Sequence, residues 1–213
     1  MPSSPTCSRS ELRRLGIAAA ALLALLPLPA AAQMGNPGFM SPDTRTGPDG
    51  LPATDQKNAA DILFVKLVGA GGLAEVALGE LARDQGADAA VVAFGERMVA
   101  DHGAANDALA ARAEEAGIAM PAELDAEHAT LRDTLEGMDA AAFDLAYMRA
   151  QVVDHQKTAQ LLAWEINSGQ NAGLQRFAAD TLPAVLDHLA HARGIVEALA
   201  LAQVASTPPQ PRP

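Results

Sequence analysis

The sequence predicts an all-α fold in which four long helices form a bundle of two antiparallel hairpins. Three observations support this prediction. The chain from about residue 55 to residue 202 is rich in Ala, Leu, Glu and Asp, and aromatic residues make up only 3% of the whole sequence. Apolar residues recur there at steps of three and four, the spacing of one helix face. Glycines divide this region into four long segments and one short segment.

Glycine, proline and aspartate residues mark the expected limits of the helices. Gly86 should end the first long helix as a left-handed residue. Pro121 should open the short helix, because proline suits the first helical position. Asp139 is a good N-cap for the third long helix. The five helices are therefore expected at about residues 55–85, 87–116, 121–137, 139–168 and 171–202.

The lengths of the connections predict the topology. The first and second long helices, and likewise the third and fourth, are joined by about one or two residues, so each pair should form an antiparallel hairpin. About 22 residues, including the short helix, separate the second long helix from the third. One long crossover between two hairpins is the connectivity of a ferritin-like four-helix bundle. A coiled-coil rod is disfavoured, because the glycine breaks interrupt any sustained heptad.

The two ends of the chain differ in composition from the bundle. Residues 1–32 have the three parts of a secretory signal peptide: an arginine-containing start, an apolar stretch and a run of small residues before the expected cleavage site. The apolar stretch is shorter than the roughly 20 residues that cross a bilayer, so no transmembrane segment is expected in the mature chain. Residues 33–53 should form a flexible Gly/Pro-rich tether and residues 204–213 a Pro-rich disordered tail, which leaves 54–203 for the bundle.

These features predict a periplasmic or otherwise exported protein and leave association with the outer membrane open. Cys7, the single cysteine, lies in the expected signal peptide, so the mature chain would have no disulfide or thiolate site. No CxxCH motif for covalent haem is present. The formal net charge of −11 disfavours nucleic acid as a partner. An envelope protein or a second copy of the chain stays open as a partner.

One strongly polar residue interrupts the apolar face of each long helix: Glu75, His102, His155 and His188. All four lie at or within about one turn of the middle of their helices, so they should meet inside the bundle. Three neutral imidazoles and a carboxylate form a complete ligand set for one divalent transition metal ion, such as zinc, copper, iron or manganese. A metal-free network of His, Glu and water would satisfy the same groups and is the alternative.

Each of the three histidines directly follows an aspartate. Asp101, Asp154 and Asp187 point about 100° away from the following histidine, so each is expected to orient an imidazole on a neighbouring helix. A salt bridge or a solvated flank is the alternative for these aspartates. His191, about one turn beyond the last of the three histidines, is expected to support the site or to face a polar rim. Tyr147 is expected at the amphipathic rim of the bundle.

Four strings of sequence resemble a known family, and they occur in the family's order and at its spacing. The chain resembles an exported bacterial family of unknown function within the ferritin-like superfamily, whose members are often labelled predicted outer-membrane proteins. The resemblance covers about residues 55–200 and implies the bundle, export and an envelope location, but no established reaction. The strings are GGLAEVALGELA (71–82), FGERMVADHGAAND (94–107), FDLAYMRAQVVDHQKT (143–158) and FAADTLPAVLDHLAHAR (177–193).

The chain departs from the di-iron pattern of ferritin-like proteins, which place Glu-x-x-His on two helices and a Glu on each of the others. Here Val99, Val152 and Val185 stand three residues before the histidines. Without bridging carboxylates, ferroxidase or di-iron oxygenase activity is disfavoured and a single-metal site fits better. The leading hypothesis is therefore an exported envelope protein with a buried His/Glu metal site. The alternative is a non-enzymatic structural or interaction module of the cell envelope with a metal-free polar core.

Overall fold

The structure is a computed structural model that describes residues 56–206. These residues form five helices and no strand. Residues 204–206 continue the last helix, so the expected disordered tail does not begin at residue 204. The rest of that tail, the signal peptide 1–32 and the tether 33–53 lie outside the described residues. The helices are α1 (Ala59–Gln85), α2 (Ala89–Glu115), α3 (Ala126–Glu136), α4 (Ala140–Ser168) and α5 (Ala172–Ser206).

Side-chain caps define where the first four helices begin. Asn58 accepts a hydrogen bond from the backbone N–H of Asp61 at 3.0 Å, and the Asp61 carboxylate accepts one from the Asn58 N–H, which completes a capping box. Asp88, Asp125 and Asp139 cap α2, α3 and α4 by accepting a backbone N–H of the first turn. Each cap satisfies an amide that has no partner inside its own helix.

One predicted helix limit is wrong, and another is right although its conformation is not the expected one. Gly86 ends α1 with φ −59° and ψ 133°, which is not left-handed. It is glycine because a Cβ there would lie 2.6 Å from the Ala82 carbonyl oxygen and 3.0 Å from a methyl carbon of Val92. Pro121 does not open α3, which begins after Asp125. The proline ring instead packs onto Gly69 of α1, where an added Cβ would lie 2.8 Å from the ring.

The long helices form two antiparallel hairpins, α1–α2 and α4–α5. Helix α1 also packs against α4, and α2 against α5. The start of α1 meets the end of α4, since the side-chain amide of Asn58 donates to the Ser168 carbonyl oxygen at 2.8 Å. The end of α1 meets the start of α4, since the Asp144 carboxylate accepts the Asp88 N–H at 2.8 Å. The crossover that carries α3 therefore returns along the length of the bundle and packs on α1 and α4, which is ferritin-like connectivity.

Two apolar clusters fill the core, one toward each end of the bundle. The first includes Phe64 and Phe177, whose rings meet edge to face at 6.3 Å. The second includes Phe94, Phe143 and Tyr147. Full burial of one large apolar side chain contributes about 1.5–3 kcal/mol, so these clusters are the main source of stability. Along each long helix, the level between the two clusters holds the polar residue singled out from the sequence.

Helix α1 is long and apolar enough to cross a bilayer by length and composition, and it alone among the described helices meets that test. However, 56% of its most apolar window is buried inside the bundle. Packing against α2 and α4 accounts for this composition, because a helix that contacts neighbours on several sides is apolar around most of its circumference.

Candidate metal centre

Three histidines meet at the middle of the bundle. His102 of α2, His155 of α4 and His188 of α5 are 8%, 1% and 2% exposed. Their ring centroids lie 5.4 to 5.5 Å apart. Each ring offers one nitrogen such that the three nitrogens lie within 4.8 Å of one another. The structure thus brings together the three histidines that the sequence predicts to meet, and the cluster could hold a metal ion.

Hydrogen bonds determine which nitrogen of two rings carries the proton. His155 Nδ1 donates to the Gln151 carbonyl oxygen at 2.9 Å, which leaves a lone pair on Nε2. His188 Nε2 donates to the Asp101 carboxylate at 2.8 Å, which leaves a lone pair on Nδ1. Within the described residues these two nitrogens, and Nε2 of His102, are buried without a hydrogen-bond partner. Each ring therefore keeps one buried nitrogen that only a further group can satisfy.

Burial keeps the three imidazoles neutral. Desolvation, aided by the neighbouring histidines, lowers the pKa of His102 to about 3 and the pKa of His155 to about 4. Desolvation also lowers the pKa of His188, although its bond to Asp101 opposes the effect. At neutral pH no ring has to lose a proton before it donates a lone pair, and the neutral ring is the form that metals bind.

Glu75 adjoins the histidine cluster without being one of its three closely grouped members. Its Oε1 lies 3.6 Å from His155 Nδ1, and the residue is 2% exposed. Burial raises the pKa of Glu75 well above the usual range, and the nearby Asp154 carboxylate raises it too. Oε2 has no hydrogen-bond partner among the described residues. A cation at the centre would favour the charged carboxylate and give this oxygen a partner.

The first two of the three aspartates lie beside the centre but have different partners. Asp101 contacts His188 on the neighbouring helix α5, which is the position expected of a residue that orients an imidazole. Asp154 instead places Oδ1 3.4 Å from Nε2 of His128 on the crossover helix. The charge of Asp154 also raises the pKa of Glu75. Asp154 therefore supports the fourth candidate ligand rather than one of the three histidines.

Asp187 and His191 lie away from the three rings, which corrects their expected supporting roles. Asp187 forms an ion pair with Arg97 at 2.8 Å, and its side chain is 64% exposed. His191 is exposed and packs its ring edge to face against Phe94 at 5.6 Å. Asp187 directly precedes His188 and is turned about 100° from it around α5, so it points out of the core when His188 faces inward.

Sequence reasoning missed two residues of α4 that belong to this centre. Gln151 is fully buried and provides the carbonyl oxygen that holds His155. Tyr147 is also fully buried, not at the rim, and stacks on Phe143 at 5.6 Å. Burial raises the pKa of Tyr147, and the charge of nearby Glu75 raises it further. Both residues could have been found from spacing, because they precede His155 by four and eight residues on one helix face.

The donor set fits one small metal ion after a modest movement. Zn–N bonds are about 2.0–2.1 Å long, so nitrogens that share a tetrahedral zinc lie about 3.3 Å apart. The nitrogens here lie within 4.8 Å of one another, so binding would draw them together by up to about 1.5 Å. Small rotations of three side chains that belong to separate helices can supply this movement. Within the described residues, one glutamate lies beside the rings, and a set of bridging glutamates of the di-iron kind does not.

The fold and this site define a ferritin-like four-helix bundle with a buried cluster of three histidines. Residues 47–195 match a family described as a domain of unknown function, DUF4142. The match covers well over half of the sequence, so the chain belongs to this family. No curated protein matches the chain.

A solved structure has a similar helical fold. It is the crystal structure of a DUF305 fragment from Deinococcus radiodurans, which superimposes with a TM-score of 0.59 at 11% sequence identity. The alignment covers 66% of this chain and 97% of that one. At this identity the similarity shows the shared fold alone.

Proposed function

We propose that this protein is an exported envelope protein that binds one divalent transition metal ion through Glu75, His102, His155 and His188. The observation that carries the proposal is the set of three buried ring nitrogens without partners in the described part of the chain. Native proteins leave few buried polar atoms unpaired. Other buried polar atoms of the described residues also lack a partner, but these three belong to rings whose nitrogens lie within 4.8 Å of one another, so one shared cation supplies a partner to each ring.

The surroundings of two rings also support a metal site. Metal-bound histidines usually donate their second ring N–H to a carboxylate or a backbone carbonyl, which fixes the tautomer. His188 does so to Asp101 and His155 to Gln151. Imidazole nitrogens suit zinc, copper, iron and nickel, whereas the hard ions magnesium and calcium prefer oxygen ligands. The proposal is therefore a zinc-type or copper-type site, with Glu75 as the fourth ligand.

Export is the second half of the proposal. It is supported by the three-part signal composition of residues 1–32 and by the absence of cysteine after that segment. A protein that folds around a metal and apolar packing needs no disulfides in an oxidising compartment. Fractionation of cells that express the full chain tests this half. Recovery of the shortened protein in the periplasm or outer membrane would agree with it, and a full-length cytoplasmic protein would contradict it.

Elemental analysis tests the metal site. The full chain, purified without a histidine tag and equilibrated with Zn²⁺ or Cu²⁺, should retain about one ion per chain. Substitution of His102, His155 and His188 by glutamine should abolish this retention, because the amide is a far weaker ligand. His191→Gln is the matched control, since that ring packs on Phe94 at the surface, and it should retain the ion.

The same samples test the metal-free alternative. A structural module with a polar core would contain no metal after purification and would retain none after equilibration with Zn²⁺ or Cu²⁺. The histidine substitutions would then change only its stability. A wild-type chain that retains no ion after equilibration with either metal would contradict the metal proposal. Far-UV circular dichroism shows whether the triple variant keeps its helices.

A further inference from the structure

A surface pocket of about 430 Å³ lies between α1, α4 and the crossover. Leu67, Leu161 and Trp164 form its apolar wall, and polar side chains form the opposite wall. Two basic groups in that wall are already paired. Lys157 Nζ lies 2.7 Å from the Glu127 carboxylate, and the ring of His128 contacts carboxylates on both sides. Asp154 lines this pocket, and its Oδ2 is the nearest atom, at 4.0 Å, to where a Cβ of Gly71 would stand.

A much smaller cavity of about 20 Å³ lies inside the bundle beside the histidine cluster. Glu75 and His102 line it. A cavity needs about 10–15 Å³ to hold one water, so this space can hold one water or one small ion. Gly71 and Thr158 line both the cavity and the surface pocket. These two residues therefore form the partition between the surface pocket and the candidate metal centre.

Gly71 differs from the glycines on either side of it. A Cβ at Gly69 would lie 2.8 Å from the Pro121 ring, and a Cβ at Gly72 would overlap the side-chain amide of Asn106. At Gly71 the nearest atom to an added Cβ is Asp154 Oδ2, at 4.0 Å. Close packing therefore explains the first two glycines but not the third. A glycine inside a helix costs about 1 kcal/mol relative to alanine, so the open space at Gly71 needs another reason.

The other sides of the centre are less suited to a cation. The two apolar clusters lie toward the ends of the bundle. At the seam between α2 and α5, the Arg97 guanidinium contacts Asp101 at 3.1 Å and Asp187 at 2.8 Å. The guanidinium is held between two carboxylates there, so these ion pairs would have to break before a cation could pass along the seam to His188. The pocket under the crossover shares Gly71 and Thr158 with the internal cavity, so it offers an approach from solvent.

We propose that a divalent cation enters and leaves the centre through this pocket, that Asp154 holds the ion in transit before Glu75, and that Gly71 keeps the passage open. The inference rests on the proposed function, because it assumes that the ion's destination is the histidine cluster. Asp154 is suited to this role since it lines the pocket beside Gly71 and its charge raises the pKa of the buried Glu75. A carboxylate oxygen is a ligand that every one of the candidate metals accepts.

Metal exchange kinetics test the route. Co²⁺ loading of the metal-free full chain is followed by stopped-flow absorbance, and release is followed by transfer to a chromogenic chelator. Gly71→Leu should slow both loading and release by tenfold or more, while the equilibrium affinity changes by less than threefold. A barrier placed on the path slows both directions equally, whereas a damaged site would speed release. Gly71→Ala should exchange nearly as fast as the wild type.

Matched variants separate the route from general effects. Gly194→Leu replaces another helical glycine that has open space around it, and it should exchange at the wild-type rate. Asp154→Asn should slow loading, whereas Asp107→Asn, at an exposed position of α2, should not. Thr158→Met should narrow the opening between the surface pocket and the internal cavity from the α4 side. It provides the same test if Gly71→Leu does not fold.

The outcomes distinguish the two proposals. Normal metal binding with wild-type exchange rates in Gly71→Leu or Thr158→Met overturns the route and leaves the metal site intact. A wild-type chain that binds no Co²⁺ at equilibrium overturns the proposed function itself.

Discussion

Burial removes each imidazole of the centre from water, so both ring nitrogens need a hydrogen-bond or metal partner inside the protein. For His155 and His188, one nitrogen is satisfied by Gln151 and Asp101 respectively. The charged form of each ring loses more solvation than the neutral form, so burial lowers the pKa of each. The folded protein therefore holds neutral rings at a pH where the unfolded chain binds protons.

This difference predicts an acid-sensitive bundle. An unfolded histidine titrates near pH 6.5, whereas folded His102 and His155 have pKa values of about 3 and about 4. Below pH 6.5 the unfolded state binds more protons, so the free energy of unfolding of the metal-free protein should fall as the pH falls toward 4. Each group contributes a slope of up to about 1.4 kcal/mol per pH unit in this window.

Urea unfolding between pH 4 and pH 7 measures that slope. His102→Gln/His155→Gln should show a shallower slope than the wild type, because two of the titrating groups are gone while the carboxylates are unchanged. Parallel curves for the double variant and the wild type would show that these rings are not held neutral.

Comparing variants of Asp101 and Asp187 tests whether a carboxylate that contacts His188 strengthens metal binding. Both carboxylates bind Arg97, but only Asp101 also contacts an imidazole of the cluster. Asp101→Ala should weaken metal affinity by about tenfold, the lower end of the effect of removing such a partner, because its side chain is 44% exposed. Asp187→Ala should leave the affinity unchanged. Chelator competition measures both, and equal losses would assign the effect to Arg97 instead.

Helices α1, α4 and α5 are joined at one end of the bundle by a buried polar cluster. The Asp61 carboxylate accepts the backbone N–H groups of Asn58, Gln170 and Asn171, so one side chain caps α1 and also holds the connection between α4 and α5. Glu165 is fully buried beside it. Burial, aided by the neighbouring Asp61 carboxylate, raises the pKa of Glu165 to about 9.

Glu165 is therefore expected to make the bundle sensitive to alkali. Its pKa in the folded state, about 9, lies above the usual 4.5, so the folded protein binds one more proton between these values. The stability that this proton provides is lost as the pH rises through that window. Glu165→Gln should lose less free energy of unfolding between pH 6 and pH 9 than the wild type. Urea unfolding at both pH values tests this, with exposed Glu96→Gln as the control.

The limits of the helices show where sequence reasoning works. Asp139 was expected to begin a helix and does so, because an N-cap depends only on the side chain and the amides that follow it. Pro121 was misjudged because its role depends on Gly69 of α1, which is distant in sequence and is brought close by packing of the crossover. Contacts between elements cannot be deduced from the propensity of a single residue.

The bundle as a whole is coupled to its centre, because the four candidate ligands come from four different helices. A ligand that binds only the folded state adds RT ln(1 + [L]/Kd) to the free energy of unfolding. Zn²⁺ at 100 times its Kd should therefore stabilise the wild type by about 2.7 kcal/mol. The triple histidine variant should gain nothing, and His191→Gln should gain as much as the wild type. A gain that persists in the triple variant would locate the bound ion elsewhere.

Local information was enough to predict the helical class, the two hairpins, the crossover and the meeting of His102, His155 and His188. These features depend on apolar periodicity and connection length, which are visible in the chain itself. The ring nitrogens left without partners, the contact of Asp154 with His128, the exterior position of Asp187 and the opening at Gly71 became visible only in three dimensions. They depend on how far each helix is rotated about its axis and which neighbour it meets, and packing of the entire core sets both.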